Sequence, residues 1–363
     1  MTNDPMSPDP MPVLRLSSPA DWLQAMPYLF GFTPRESLVV LCLGGRNGKR
    51  LTFQLRVDLP APGDREAMAE QVAVIVARQQ FQNALVVVYR DEVGPPDHGD
   101  HELWRLIEES VEVPGEVVDA VVVRGDRYWS LICADPFCCP TEGTAVPTVT
   151  DSARVPAEMV IRGLHAQESR ADVVAELTPV LGPARVLLAQ RCLAADERMF
   201  DDDADPVRWS LEWVEAAVQR WVRLFDGPVP PGPLDPDLVA SLVVPLEHLT
   251  LRDRVAGVCL LRRERARPVL RELACRVSET WVAPPATILG LLEWADGDGL
   301  RAGIALDRAL DADPTYSFAC MLATGLQAGI QLPDELVRAV TSMASARGAR
   351  RAARRTRGTR ATY

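Results

Sequence analysis

The chain has 363 residues, a formal net charge of −11, 47% apolar residues and 25% charged residues. That is the balance of a globular protein long enough for two hydrophobic cores. No run of about 18 apolar residues occurs, which excludes a spanning helix of ordinary length and with it a membrane partner. The opening MTNDPMSPDPMP has no basic region and no apolar core, so a disordered leader over 1–13 is expected, not a secretory signal, and with it a cytoplasmic location.

Charge and chemistry are unevenly distributed. The seven arginines of 347–363 carry +7 of the net −11, leaving −18 on residues 1–346. An acidic body repels nucleic acid, whereas a basic tail attracts it. Arg350, Arg351, Arg354 and Arg355 are the residues for weak nucleic-acid contact. Lys49 is the only lysine, so Schiff-base or lysine-dependent phosphate chemistry must use it or be absent.

The first element is a helix opening at Ser18, with Pro19 in its first position and Asp21 in its first turn, and running to about Leu29. Gly31 and Pro34 break it. Ser37–Leu43 is a continuous apolar run of strand length. Leu51–Leu59 is a second strand, and Gly44–Lys49 between them is a hairpin turn with an Asn-Gly pair. Met68, Val72, Ile75 and Val76 give helical spacing within 64–80. Ala84–Tyr89 reads as a buried strand. Leu103, Leu106, Ile107 and Val111 mark a helix over 101–111, with Asp100 as its N-cap. Val117–Val123 and Tyr128–Cys133 follow as strands. The order β-β-α-β-α-β-β implies an α/β domain, 14–150, built on a mixed sheet.

Residues 134–155 read as a loop. Beyond them the spacing is helical throughout. Trp209, Trp213 and Trp221 with Val214, Val218 and Leu224 form one amphipathic helix, followed by Leu238–Leu246, Leu251–Leu261 and Val269–Trp281. An all-α C-terminal domain over 156–346 is expected, then a disordered Arg-rich tail over 347–363. Ala286–Trp294 and Leu300–Leu310, joined by Asp-Gly-Asp-Gly, end in an A-L-D-R-A-L-x-x-D-P run like that of a tetratricopeptide hairpin. One unit is too few for a solenoid, so it reads as one hairpin in a bundle.

The candidate chemistry is sparse. GGRNGKR, residues 44–50, lacks the glycine spacing of a phosphate loop, has Arg50 where Ser or Thr should hold magnesium, and precedes a strand. Cys133, Cys138 and Cys139 stand within seven residues. A structural turn is the favoured reading, a metal site and a redox or nucleophilic thiol being the alternatives, and no metal site is assigned. Asp97 to Glu102 holds two of the four histidines and reads as a helix cap or a divalent-cation ligand set. Asp201–Asp205 reads as a solvated acidic loop, since the glycine and glutamate of a calcium loop are missing. Asp58, at a strand end, and Arg127, in a turn, are placed where ligands of α/β sheets bind. With Cys138 and Cys139 they form the candidate ligand-binding set. GxSxG, HExxH and GxGxxG are absent, and no cofactor is indicated.

Several segments together resemble a bacterial family known only as a domain of unknown function, DUF4192, common in high-GC Gram-positive genomes. They are SSPADWLQAMPYLFGFTPRESLVV at 17–40, LRVDLP at 55–60, GDRYWSLICADPFCCPTEGT at 125–144, LRDRVAGV at 251–258 and EWADGDGLRAGIALDRALDADP at 293–314. Thr33 and Thr141 depart from the pattern. The resemblance brings no catalytic residue, substrate or cofactor. It implies that CCPTEG and RVDLP belong to a shared fold.

The leading functional expectation is a cytoplasmic, non-enzymatic interaction or regulatory protein with a protein partner on the helical domain. An enzyme or small-ligand binder using the strand ends of the α/β domain is the alternative. Nucleic-acid association through the tail is the third.

Overall fold

The computed structural model describes residues 16, 18–111, 115–148, 152, 154–162, 164–200, 210–228, 230, 232–332 and 334–344. The leader, the acidic Asp201–Asp205 loop, Trp209 and the tail with Arg350, Arg351, Arg354 and Arg355 lie outside the described residues. The chain forms two compact units, Met1–Asp172 and Val173–Tyr363.

In the first unit, α1 (Pro19–Phe30) opens as its sequence predicts: the Ser18 hydroxyl accepts the Asp21 amide at 3.2 Å, and Gly31 ends the helix in the left-handed region. β1 (Ser37–Gly44) and β2 (Arg50–Asp58) form an antiparallel hairpin. Its turn carries positive φ at Gly45 and Gly48, which is why a glycine-rich stretch sits there. Then come α2 (Arg65–Ala77), β3 (Asn83–Arg90), α3 (His98–Val111), β4 (Glu116–Arg124), β5 (Arg127–Ser130) and the two-residue β6 (Thr144–Ala145). The sheet order is β2-β1-β3-β4-β5-β6. β3 and β4 are parallel, and the other neighbours are antiparallel.

This is an N-terminal mixed α/β sheet followed by a largely helical region, the fold class that the change of periodicity predicts. β5 is shorter than the spacing suggests. The Ser130 hydroxyl accepts the amides of Ile132 and Cys133 and turns the chain out of the sheet.

Two layers of helix cover the sheet. On one face Leu38, Val40, Cys42, Val86, Val88, Ala120 and Val122 share a core with Met68, Val72 and Val76 of α2 and Leu103, Trp104 and Ile107 of α3. On the other face Val39, Leu41, Val87 and Val121 are also buried. There the Gln54 amide donates to the Leu29 carbonyl, and the Arg56 guanidinium lies over the Phe32 ring, so α1 and the corner after it cover that side. α4 (Arg154–Ile161) packs on α1 through Ala25, Val155 and Met159. Burial on both faces explains why β1, β3 and the second half of β4, Ala120–Val123, are continuous apolar runs and not alternating ones.

The second unit holds α6 (Pro183–Phe200), α7 (Leu211–Asp226), α8 (Pro236–Val243), α9 (Leu249–Leu261), α10 (Arg263–Arg276), α11 (Glu279–Ala295), α12 (Gly299–Ala312), α13 (Ser317–Gln327) and α14 (Asp334–Met343); α5 (Arg170–Ala175) spans the division. No strand occurs among its described residues. The expected helix over Val269–Trp281 is two helices, because Val277 adopts an extended conformation between α10 and α11. α11 and α12 pack so closely that a Cβ on Gly290 would stand 2.9 Å from Leu306. α9 is buried along most of its length and touches α14 at Gly257.

Candidate functional site

Antiparallel pairing brings the start of β1 and the ends of β2 and β3 together, with Ser37 opposite both Asp58 and Tyr89. Parallel pairing sets Arg90 beside Arg124 at the ends of β3 and β4. These arginines close two apolar strands, and the loop after β3 supplies their partners. Arg124, with a side chain only 5% exposed, reaches Asp97 at 2.6 Å and Asp100 at 2.5 Å, and Asp100 is 2% exposed. Arg90 bonds to Glu92 at 3.0 Å and lies 3.5 Å from Glu36 and 3.7 Å from Asp100. Burial alone would disfavour the Arg124 charge; hydrogen bonds and attraction from Asp97 and Asp100 more than reverse this and raise its pKa. The same hydrogen bond from Arg124 holds the Asp97 carboxyl below its ordinary range.

Asp97, not Asp100, is the cap of α3. The Asp97 carboxylate accepts the Asp100 amide at 3.0 Å, and the Asp100 carboxylate accepts the Asp97 amide at 3.2 Å. This reciprocal box starts the helix at His98, earlier than the spacing predicts, and the Asp100 oxygen that accepts the Asp97 amide also faces Arg124. His98 and His101 are exposed and join no metal-holding group among the described residues.

Beside this end of the sheet, on the α1 face, a cleft of about 770 Å³ opens. Leu23, Pro27 and Tyr28 of α1 and Tyr89 and Val123 of the strand ends give it apolar walls, and Arg35, Arg90, Asp91 and Glu168 add charge. Burial pushes the Tyr89 phenol pKa upward, so it remains protonated at neutral pH. Gln24 of α1 donates to the carbonyls of Pro147, Thr148 and Ser152 at 3.1–3.3 Å and fixes a further wall. Glu36, next to the lining residue Arg35, has φ 37°, the one positive φ outside glycine among the described residues. Its carboxylate accepts the Asp91 amide at 2.6 Å, and Arg35 pairs with Asp91 at 3.1 Å, so the corner after α1 is clamped to the loop after β3.

Of the four residues expected to bind ligand, the structure brings only Cys138 and Cys139 together. Asp58 ends the edge strand β2 with its side chain 74% exposed and pairs with Arg56. Arg127 begins β5, across three intervening strands, or about 19 Å at ~4.8 Å per strand. Neither lines the cleft. Arg127 instead donates to the carbonyls of Glu142 at 3.1 Å and Gly143 at 2.7 Å, tying the cysteine loop to the sheet edge.

In that loop the Cys133 and Cys138 sulfurs are 3.4 Å apart and those of Cys138 and Cys139 are 3.3 Å apart. The Asp135 carbonyl accepts the amides of Cys138 and Cys139, and its carboxylate accepts that of Phe137. A hydrogen bond at the Asp135 backbone, then bonds with the neighbouring thiols, lower the Cys133 pKa. Burial, with those same neighbours, pushes Cys139 up to about 12. The turn expected here is present, and it gathers three thiols.

The sequence reading misses Glu36, Tyr89, Arg90 and Arg124. A signal existed for the arginines, since each abruptly ends an apolar strand; the strain at Glu36 had none.

Among the described residues no helix is long and apolar enough to cross a membrane. No curated protein and no solved structure matches the chain. A family model described as a domain of unknown function (DUF4192) matches residues 19–332, most of the length, and the chain belongs to that family.

Proposed function

We propose that this protein binds a small ligand in the cleft at the ends of β3 and β4. The observation that carries the reading is the placement of a cleft of about 770 Å³ at the carboxyl ends of the parallel strand pair. Open α/β sheets bind ligands there, and the volume suits a small molecule. Strain at Glu36 beside it adds support, because backbone outliers gather at functional sites. The walls favour a ligand with an apolar body and a polar group directed to the Arg35–Asp91 pair. Among the described residues the lining includes no cysteine, histidine, serine or lysine, which favours binding over covalent turnover.

A thermal-shift panel of small metabolites that join an apolar body to a polar group tests this. At least one compound should raise the unfolding midpoint, and Ala166→Trp, which sets an indole on the exposed wall of the cleft and narrows it, should abolish the rise while leaving the unliganded midpoint unchanged. A panel without effect, or a shift that survives Ala166→Trp, overturns the reading.

A second reading, a protein partner on the helical unit, is favoured by the exposure of Leu181, Val186, Leu187 and Leu193 on and before α6. Sedimentation velocity of the wild type against Leu187→Glu/Leu193→Glu tests it for self-association. Nucleic-acid contact through the tail rests on charge alone. A cytoplasmic location fits the eight free cysteines, of which Cys138 is exposed.

A further inference from the structure

The cysteine loop lies apart from the cleft, and its geometry points to a different chemistry. We propose that Cys133, Cys138 and Cys139 form a three-sulfur site for a thiophilic d10 cation, Zn2+ or Cu+, with one coordination position open to solvent.

The spacing of the sulfurs is the first argument. Zinc–thiolate bonds of about 2.3 Å in tetrahedral geometry set neighbouring sulfurs about 3.8 Å apart. Here two neighbouring pairs stand at 3.4 and 3.3 Å, and all three sulfurs lie within 4.8 Å of one another. A bound ion therefore needs sulfur movements of only a few tenths of an ångström at these pairs.

The scaffold is the second argument. The loop backbone is held by bonds that do not involve sulfur. The Ser130 hydroxyl accepts the Cys133 amide at 2.9 Å, and the Asp135 carbonyl accepts Cys138 and Cys139 at 3.2 and 2.8 Å. Farther along, the Trp129 indole donates to the Thr141 carbonyl at 3.1 Å, and Gly143 lies against the same ring at φ 76°. Sequence neighbours that could splay outward are instead turned toward one another. Cys138 is exposed, Cys133 and Cys139 are only half-buried, and none of the three belongs to a hydrophobic core cluster, so packing does not account for the arrangement.

The ligand set is the third. The Asp135 carboxylate is committed to the Phe137 amide at 2.9 Å. Among the described residues no histidine, aspartate or glutamate joins the group. An all-sulfur set selects soft cations over magnesium or calcium. Closed structural zinc sites use four protein ligands; with three, and with Cys138 exposed, the remaining position falls to water or to a ligand from another molecule. The neighbouring Phe137 is 99% exposed, so a partner reaching the ion would also meet an apolar ring.

The test uses the full chain, reduced and kept under nitrogen. Co2+ is titrated as the probe for the zinc site and then displaced by Zn2+, and Cu+ is titrated against a chromophoric chelator. One equivalent should bind to the wild type, with a thiolate-to-Co2+ charge-transfer band in the Co2+ arm; one equivalent of Co2+ displaced by Zn2+ assigns the site to zinc, and stoichiometric Cu+ without Co2+ binding assigns it to Cu+. Cys275→Ser/Cys320→Ser should retain that equivalent. Cys133→Ser/Cys138→Ser/Cys139→Ser should weaken binding by more than about 100-fold, beyond the loss that follows removal of an outer-shell partner, while keeping the metal-free melting midpoint. If the triple variant does not fold, Cys138→Ser alone, which alters an exposed sulfur, gives the same reading. Stoichiometric binding of neither ion, or binding that survives these substitutions, overturns the proposal. So does a Cys133–Cys138 disulfide that forms in air and that neither ion prevents, which would assign the cluster to thiol–disulfide exchange.

Discussion

At the scale of single residues, the ends of β3 and β4 carry a dense cluster of ion pairs around Arg90 and Arg124. Arg124 is buried, and its partners are Asp100, equally buried, Asp97, half exposed, and more distantly Glu92 at 3.6 Å. A buried charge that loses its partner costs far more than the intact pair contributes. Asp100→Asn should therefore destabilise the first unit by about 3 kcal/mol, measured by urea unfolding. The acid limb has a definite sign. The Asp97 carboxyl titrates below its unfolded value, so the stability it contributes is complete above about pH 4 and is lost as pH falls through the depressed folded value. Arg124→Met should flatten that limb, while solvent screening of Asp97 keeps the effect modest. An acid near a helix start is legible in the sequence, where Asp100 has the place of a cap. Its role as partner of Arg124 is not legible, because Asp100 lies in α3 and the arginine ends β4, and only packing of the helix on the sheet brings the two together.

At the scale of elements, local signals that coincide with tertiary packing were legible, and those that depend on a distant neighbour were not. The hairpin, the apolar strands and the helices of the first unit follow from turn chemistry and spacing. β6 could not be found this way, since two residues become a strand only by pairing with Arg127 and Tyr128. Cys138 and Cys139 were legible as unusual, but their closeness to the Cys133 sulfur is a property of the folded loop. Glycines of the helical unit show the same division. Gly257 and Gly303 look alike in sequence. A Cβ at Gly257 would stand 2.4 Å from the Val340 carbonyl oxygen and 3.0 Å from the Ala344 amide, whereas at Gly303 it would meet only Leu326, at 3.8 Å. Backbone cannot step aside as a flexible side chain can. Gly257→Ala should thus force α9 and α14 apart and cost about 2–3 kcal/mol. Gly303→Ala should stabilise α12 by about 0.5–1 kcal/mol through helix propensity. Thermal unfolding of the two variants side by side reads both signs.

At the scale of the whole molecule, the change from alternating strands and helices to continuous helix was legible, because each unit carries its own hydrophobic pattern. Where the first unit ends is a matter of packing. Residues after β6 return to it: Gln24 holds the Ser152 carbonyl, Val155 and Met159 cover Ala25, and Gln167 donates its amide to Gly31 at 2.7 Å. None of these contacts leaves a periodic trace, since each joins residues more than a hundred positions apart. A fragment of residues 1–172 keeps the sheet, both helical layers and the wall that Gln24 organises, and at that length a domain buries enough surface to fold alone. It should melt in one cooperative transition followed by circular dichroism. A fragment of residues 1–150 keeps every strand but loses α4. Two buried apolar side chains at about 1.5–3 kcal/mol each, together with the Gln24 bond to Ser152, then disappear from one face of α1. The shorter fragment should unfold at a markedly lower temperature and expose the α1 side of the cleft. Equal midpoints would mean that α4 is an appendage, and that the wall it supports is dispensable to the fold and to any ligand held there.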